Sequence, residues 1–357
     1  MSAPLFHRMS EQDGELQEAL MSLGLSRKEA SVLSYLLLRG SATAKEIMAE
    51  LSIHQPQLYD VISSLERKGF LYVQQSKPKV YIAERPSVIL ERLEREYTKK
   101  KSSIISAIVK SSTNELARRN LIWVTRGLDN VVNNSISLIQ EAKNELYIEA
   151  PPHILRKLVK SIKVACSKGV KTYVLLYPSL EQDLLSELVS AGIVELKTNA
   201  LGQFYLVVPD AEQSVLMPRM MSLEEGNNAY GYVFKDKLMS LFFIHYFFDA
   251  WKSSETAFRK LLRESDYPMS FYSQRFAVWE ILKAQEAGLK PKVTVSGYTL
   301  KQKTQITLSG FPFNVRVTSD VINFELQDLA SGKRYLIGGD NAILEDISAE
   351  KIVIELA

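Results

Sequence analysis

Cysteine is nearly missing: Cys166 stands alone in 357 residues, so no disulfide can form within the chain and no multi-cysteine zinc site can be built from it. A small buried residue is the expectation for it. Histidine is scarce as well. His7, His54, His153 and His245 are the four in the chain, and none has the His/Asp/Ser clustering or metal-ligand spacing that hydrolytic chemistry needs. No cofactor or metal is expected. Long apolar runs are also absent: the most apolar stretch, Leu238 to Trp251, is too short to span a bilayer and carries His245 and Asp249. It is expected to be a buried helix, with no membrane partner. The N-terminus has no apolar signal core, which points away from export and toward the cytoplasm. Nor is there a strong charge of either sign, since a net charge of +3 and a pI near 8.6 are too mild to imply nucleic acid by themselves. What remains is an ordinary globular composition, 46% hydrophobic and 24% charged, with length for two or three domains.

The stretch Ser41 to Ile82 is the informative one. Ile47 and Leu51, then Leu58, Ile62 and Leu65, repeat at helical spacing and give each of two short helices one apolar face. Thr43 with Glu46 has capping-box spacing, and Gly69 follows a Lys-ended last turn where a left-handed C-cap is expected. Val73, Val80 and Ile82 suit two short strands around the turn Ser76-Lys77-Pro78-Lys79. Helix, turn, helix and hairpin make the outline of a winged helix-turn-helix, a scaffold that sets its second helix into the DNA major groove. With the apolar stripe inward, His54 and Gln55 lead that helix, and Gln55, Gln57, Tyr59, Ser63 and Arg67 are candidates for its outer face. Gln can pair with adenine, and Arg, Ser and Tyr can reach guanine or phosphate. Lys77 and Lys79 at the wing tip would add salt-dependent affinity that ignores sequence. Any one of these residues could equally belong to a plain solvated surface. Charge distribution agrees with DNA at this end: Arg85 to Arg119 holds nine Lys or Arg against four Glu, whereas the last twenty residues hold five Asp or Glu and one Lys.

The rest of the chain divides by pattern. Two helices, Glu15 to Leu23 and Ser26 to Leu38, precede the helix-turn-helix, the second opened by a Ser26/Glu29 capping box. After the wing, Pro86 opens a long helix in which Leu90, Leu93, Tyr97, Ile104 and Ala107 or Ile108 fit heptads, with Lys100 on the seam. A coiled coil there would make a homodimer and present two half-site readers; a connecting helix packed on its own chain is the plainer alternative. From Leu121 strands and helices alternate as in an α/β domain, ending in an apolar helix from Lys237 to about Leu262. Beyond Pro268, a helix at Gln274 to Ala287 leads into short β-branched segments separated by Gly, Ser or Asp turns. The expected class is multidomain α+β in four segments: 1–84 winged helix, 85–119 dimerisation helix, 120–265 α/β domain and 266–357 β-rich domain.

The Leu58-Tyr-Asp-Val-Ile-x-x-Leu-x-x-Lys-Gly69 segment, the helix after the wing, and Gly338-Gly339-Asp340-Asn341-Ala342-Ile343-Leu344-Glu345-Asp346-Ile347 together resemble the TrmB family of archaeal sugar-responsive transcriptional regulators. The resemblance implies a homodimer on double-stranded DNA, a middle domain like phospholipase D without its chemistry, and a C-terminal domain binding a mono- or disaccharide effector. Asn323 and Gly338 match the family's ligand-site pattern, while Asn341 departs from it where an aromatic sugar-stacking residue is expected. By their own chemistry, Gly338, Gly339, Asp340 and Asn341 are either a hairpin turn or a close-approach backbone with groups for sugar hydroxyls, to which Glu345 could add an acceptor.

Two other functions compete. Phospholipase D chemistry takes a His followed two residues later by Lys in each of two motifs, but His153 precedes Ile154 and Leu155, and His245 precedes Tyr246 and Phe247. An enzyme is therefore not expected. An architectural protein coating DNA without an effector is the remaining alternative, and the β-rich end argues against it, because a coating protein needs no ligand module.

Overall fold

Side-chain caps set the starts of two helices in the first hundred residues of the computed structural model, which describes residues 11–111, 121–223, 228–318, 321–340 and 342–357. Helix α1 (Glu11–Ser22) is followed by α2 (Arg27–Arg39), where Ser26 and Glu29 exchange both capping-box bonds. Strand β1 (Ser41–Thr43) leads to α3 (Ala44–Leu51), capped in the same way by Thr43 and Glu46. After the turn comes α4 (Gln55–Arg67), with Pro56 in its first turn, where a missing N–H costs nothing. Gly69 ends it at φ +72°, and Phe70 N–H returns to the Leu65 carbonyl at 2.8 Å, a Schellman-type closure. Strands β2 (Leu71–Gln74) and β3 (Val80–Ala83) form the hairpin, with β3 between β1 and β2. Leu33, Leu36, Ile47, Leu58, Leu65 and Phe70 fill the core beneath.

Helix α5 (Pro86–Ser111) closes this first unit. Its heptad residues part company: Leu93 and neighbouring Ile89 are buried in the winged-helix core, whereas Leu90, Tyr97 and Ile104, seven apart, are exposed. One half of the expected seam is thus used by the chain itself. The side chains of Ala107 and Ile108 and all of 112–119 lie outside the described residues.

The second unit, Ala117–Ala357, begins with β4 (Leu121–Arg126), α6 (Leu128–Glu141), β5 (Glu145–Ala150), α7 (Pro152–Ser167), β6 (Lys171–Leu176), α8 (Gln182–Ala191) and β7 (Glu195–Thr198). It continues with β8 (Phe204–Pro209), β9 (Ser214–Pro218), α9 (Arg219–Leu223), β10 (Tyr230–Lys235), α10 (Lys237–Ser253) and β11 (Glu255–Arg259). These strands make one sheet ordered β11-β7-β6-β5-β8-β9-β10-β4, parallel only across β5, β6 and β7. Helices α6, α7 and α8 cover one face through Val132, Leu155, Leu158 and Leu188. The other face receives α10, the predicted apolar helix, through Phe243, Ile244, Phe247 and Trp251. That helix stops at Ser253 rather than near Leu262, because Glu255 to Arg259 is drawn into pairing with β7.

Then follow β12 (Met269–Phe271), α11 (Gln274–Glu286), β13 (Pro291–Thr299), β14 (Gln305–Val317), β15 (Ile322–Asp328), β16 (Arg334–Gly338) and β17 (Ile347–Leu356). Strand β17 pairs with β12 and β13, and also in parallel with β16, so the order β17-β13-β14-β15-β16 closes on itself. Helix α11 is the joint between the two sheets: Phe276 packs on Tyr147 and Tyr173 at ring separations of 4.4 and 4.7 Å. Its Trp279 and Lys283 donate to the buried Glu195 carboxylate of β7 at 3.2 and 3.3 Å, beside two donors from Arg259. Stretches 120–265 and 266–357 consequently share one hydrophobic core. Among the described residues, no helix is long and apolar enough to cross a membrane.

Candidate functional site

Helix α4 buries Leu58, Val61, Ile62 and Leu65, so its opposite side has no choice but to face outward. Each of His54, Gln55, Gln57, Tyr59, Ser63 and Arg67 is exposed, as are Lys77 and Lys79 on the hairpin. They are not equivalent. Gln57 sits on the flank of the helix and lines a cavity of about 420 Å³ with Arg27, Ser31 and Tyr35 of α2. Tyr59 lies beside Tyr81 of β3, against the hairpin. Asp60, which sequence reasoning left out, is exposed between Tyr59 and Ser63; a carboxylate there can accept from cytosine N4.

What fixes this helix was only half visible in the sequence. Glu29, read as a capping residue, also accepts Ser64 Oγ at 2.6 Å and Lys68 Nζ at 2.7 Å, while its other oxygen takes Ser26 N–H at 2.9 Å. Burial pushes this carboxyl up, but the bonds from Lys68, Ser64 and Ser26 outweigh it and bring its pKa down to about 2. The buried carboxylate thereby clamps α4 to α2.

The second cluster forms where β15, β16 and the loop after β16 meet. Asn323 of β15 is 4% exposed; its Nδ2 lies 3.5 Å from Glu345 Oε1 and its Oδ1 has no partner among the described residues. Glu345 Oε2 accepts the N–H groups of Ile343 and Leu344 at 3.2 Å each. Gly338 is required for this arrangement, since a Cβ there would stand 2.8 Å from Glu345 Cδ and 2.8 Å from Ala342 Cβ. Gly339 lies against Gln274, whose Nε2 donates to the Ile322 carbonyl at 2.7 Å. Asp340 belongs to a neighbouring charged group with His245, Asp249 and Arg275. Burial, then the Arg275 charge, holds His245 down to about 4, and Arg275 pairs with Asp249 at 3.3 Å. Four predicted residues, Asn323, Gly338, Gly339 and Glu345, thus come together. Asp340 stands beside them and Asn341 lies outside the described residues. Gln274, Arg275 and His245 carried no local signal, because α10 and α11 reach this place only through tertiary packing.

The architecture is that of a winged-helix protein carrying a larger α/β and β unit. Three family profiles divide the chain in keeping with it: "Sugar-specific transcriptional regulator TrmB" matches residues 20–87, "Transcriptional regulator TrmB, EBD N-terminal subdomain" matches 121–258, and "TrmB/TrmBL1, EBD C-terminal subdomain" matches 266–357. The chain belongs to the TrmB family of transcriptional regulators. A Pyrococcus furiosus relative named HTH-type sugar sensing transcriptional regulator TrmBL1 is 23% identical over 352 residues, 95% of this chain and 98% of that one. Another from the same organism, named putative HTH-type transcriptional regulator TrmBL2, is 26% identical over 208 residues, 54% of this chain and 78% of that one. Among solved structures, TrmBL2, titled an archaeal chromatin protein with a novel mode of DNA binding, overlays at TM-score 0.36 and 24% identity, over 70% of this chain and 100% of that one. The phospholipase D family member Nuc from Salmonella typhimurium overlays at TM-score 0.33 and 15% identity, over 40% of this chain and 100% of that one.

Proposed function

We propose that this protein is a sequence-specific DNA-binding regulator whose operator affinity is set by a sugar, a mono- or disaccharide, bound at Asn323, Gly338, Gly339 and Glu345. It acts in the cytoplasm on genes of sugar transport or metabolism. The observation that carries the effector half is Asn323: a buried amide oxygen without a partner is costly and rare, and a sugar hydroxyl would satisfy it. The DNA half rests on the exposed polar face of α4 and the basic hairpin tip. Dimerisation through α5 is supported by Leu90, Tyr97 and Ile104, whose exposed stripe a second α5 would cover. The α/β part is taken as a phospholipase D-like fold without its chemistry, because neither His153 nor His245 has the Lys partner.

A sugar can change operator affinity only by its differential affinity for two arrangements of the protein, typically about 1–3 kcal/mol of coupling. A gel-shift titration on DNA upstream of the protein's own and neighbouring genes, with and without a sugar panel, tests this. A defined protected site whose occupancy moves with one sugar is the expected result. Binding indifferent to both sequence and sugar would replace the proposal with the architectural alternative.

A further inference from the structure

The two edges of the eight-stranded sheet are built in opposite ways. One edge, β11, runs Glu255-Thr-Ala-Phe-Arg259, carries a charge at each end and breaks register between Thr256 and Phe258. Charges and bulges are how proteins keep an edge from pairing with another chain. The other edge, β4, runs Leu121-Ile-Trp-Val-Thr-Arg126. It pairs with β10 in unbroken register over all six residues, holds no charge before Arg126, and has no strand on its other side among the described residues. Ile122, Trp123 and Val124 are 59%, 41% and 55% exposed.

Both faces of this edge are apolar. Thr125 meets Asn134 of α6 at 3.4 Å, so Trp123, two residues away, stands on the α6 face. Ile122 and Val124 lie opposite Phe234 and Tyr232, on the face covered by α10. There Tyr232, Phe234 and Phe243 form a ladder of rings at 6.3 and 5.0 Å, which these two side chains extend outward.

We infer that β4 is an interaction surface for β4 of a second copy of this chain, the two strands adding antiparallel so that the sheets of two protomers become one. A second copy fits better than any other occupant for two reasons. The strand is complementary to itself: a two-fold axis normal to the sheet keeps each face on its own side, so the pairing must centre on a residue, Trp123 or Val124, facing its own symmetry mate. Either centre leaves the two Arg126 side chains at opposite ends of the pair, without like charges meeting. In addition, α5 ends at Ser111 and β4 begins at Leu121. Residues 112–120 can span at most about 35 Å, so joining two chains along α5 would raise the effective concentration of one β4 for the other. This second reason rests on the dimer reading of α5; the first does not.

The test is oxidative cross-linking of full-length protein in a Cys166→Ser background, with single cysteines at 123, 124, 97 on α5 and, as control, 255 on the opposite edge. Antiparallel partners lie about 4.5–5.5 Å apart at Cα, within disulfide reach. A covalent dimer through Trp123→Cys or Val124→Cys, and none through Glu255→Cys, is the expected result, whether or not Tyr97→Cys also links. If Tyr97→Cys links while both β4 positions stay monomeric, the proposal fails and the α5 dimer stands; if β4 alone links, the α5 reading fails instead. Silence at all three positions overturns both. Circular dichroism of each variant confirms that it is folded. Val124→Lys, a mild change at an exposed site, should then weaken the dimer at least about tenfold in sedimentation; unchanged dimerisation overturns the proposal.

Discussion

Glu29 and Asn323 are both buried polar side chains that bind two segments of chain together, and they differ in completeness. Glu29 has a partner on each oxygen and holds α4 against α2. Asn323 reaches Glu345 with its nitrogen and, among the described residues, leaves its oxygen unmatched. A satisfied buried network fixes one geometry; an incomplete one is stable only as far as something else completes it. In the proposed function the two regions have different tasks, a reader of DNA held in one geometry and a site that a ligand would complete. Glu195, with donors from Arg259, Trp279 and Lys283, falls on the rigid side and keeps the two sheets of the second unit together.

The largest expected effect comes from removing the support of the rigid region altogether. Leu58 is fully buried at the centre of the winged-helix core, and Leu58→Ala should destabilise that unit by about 2–5 kcal/mol. Thermal unfolding should show an early transition, and operator binding should vanish with it. If binding survives, α4 does not need the core beneath it.

Glu29→Gln comes next. It removes a charge-assisted acceptor from Lys68 and should cost about 1–3 kcal/mol. The effect has a pH signature. The folded pKa is depressed to about 2 from an ordinary 4.5, so the stabilisation is fully present above pH 4.5 and is lost as pH falls toward 2. Urea unfolding across that window should show the wild type losing stability that Glu29→Gln never had. Parallel curves for the two proteins would mean that the clamp is not what holds α4.

Asn323→Ala should act in the opposite sense. Truncating an amide that is only half satisfied should leave stability within about 1 kcal/mol and DNA affinity without sugar unchanged, while calorimetry shows sugar binding abolished. A normal sugar response in this variant would move the ligand site elsewhere, toward His245 and Arg275.

The same contrast explains what the sequence disclosed. Caps, apolar periodicity and the Gly69 stop are local signals, so the helix-turn-helix and hairpin are legible in a row of forty residues. Asn323, Gly338 and Glu345 stood out by resemblance, but Gln274 and His245 join them from helices distant in the chain. Gly310 shows a different failure. Beyond Pro268, where short segments separated by turns are expected, it instead lies within the single long strand β14, where a Cβ would stand 1.9 Å from the Gln327 carbonyl oxygen of β15; its role is close approach of two backbones, which no local pattern announces. Strands β1 and β12, three residues each, are too short for alternation to show. The Glu29 clamp escaped because its partners are 35 and 39 residues away.

The smallest effect sharpens the reading of the DNA-binding unit itself. Lys77 and Lys79 are exposed at the hairpin tip, whereas Arg67 is exposed on the helix that would enter the groove, and the two should fail differently. If the lysines neutralise phosphates, Lys77→Ala with Lys79→Ala should weaken binding evenly across operator variants and flatten the slope of log affinity against log salt by about 2. Arg67→Ala, if it reads a base, should cost about 1–3 kcal/mol on the preferred operator and relax the preference at one position. Titrations at several salt concentrations against a small operator panel separate these outcomes. An unchanged salt slope in the double lysine variant would take the hairpin tip off the DNA, since among the described residues neither lysine side chain makes a hydrogen bond or ion pair that its loss could disturb.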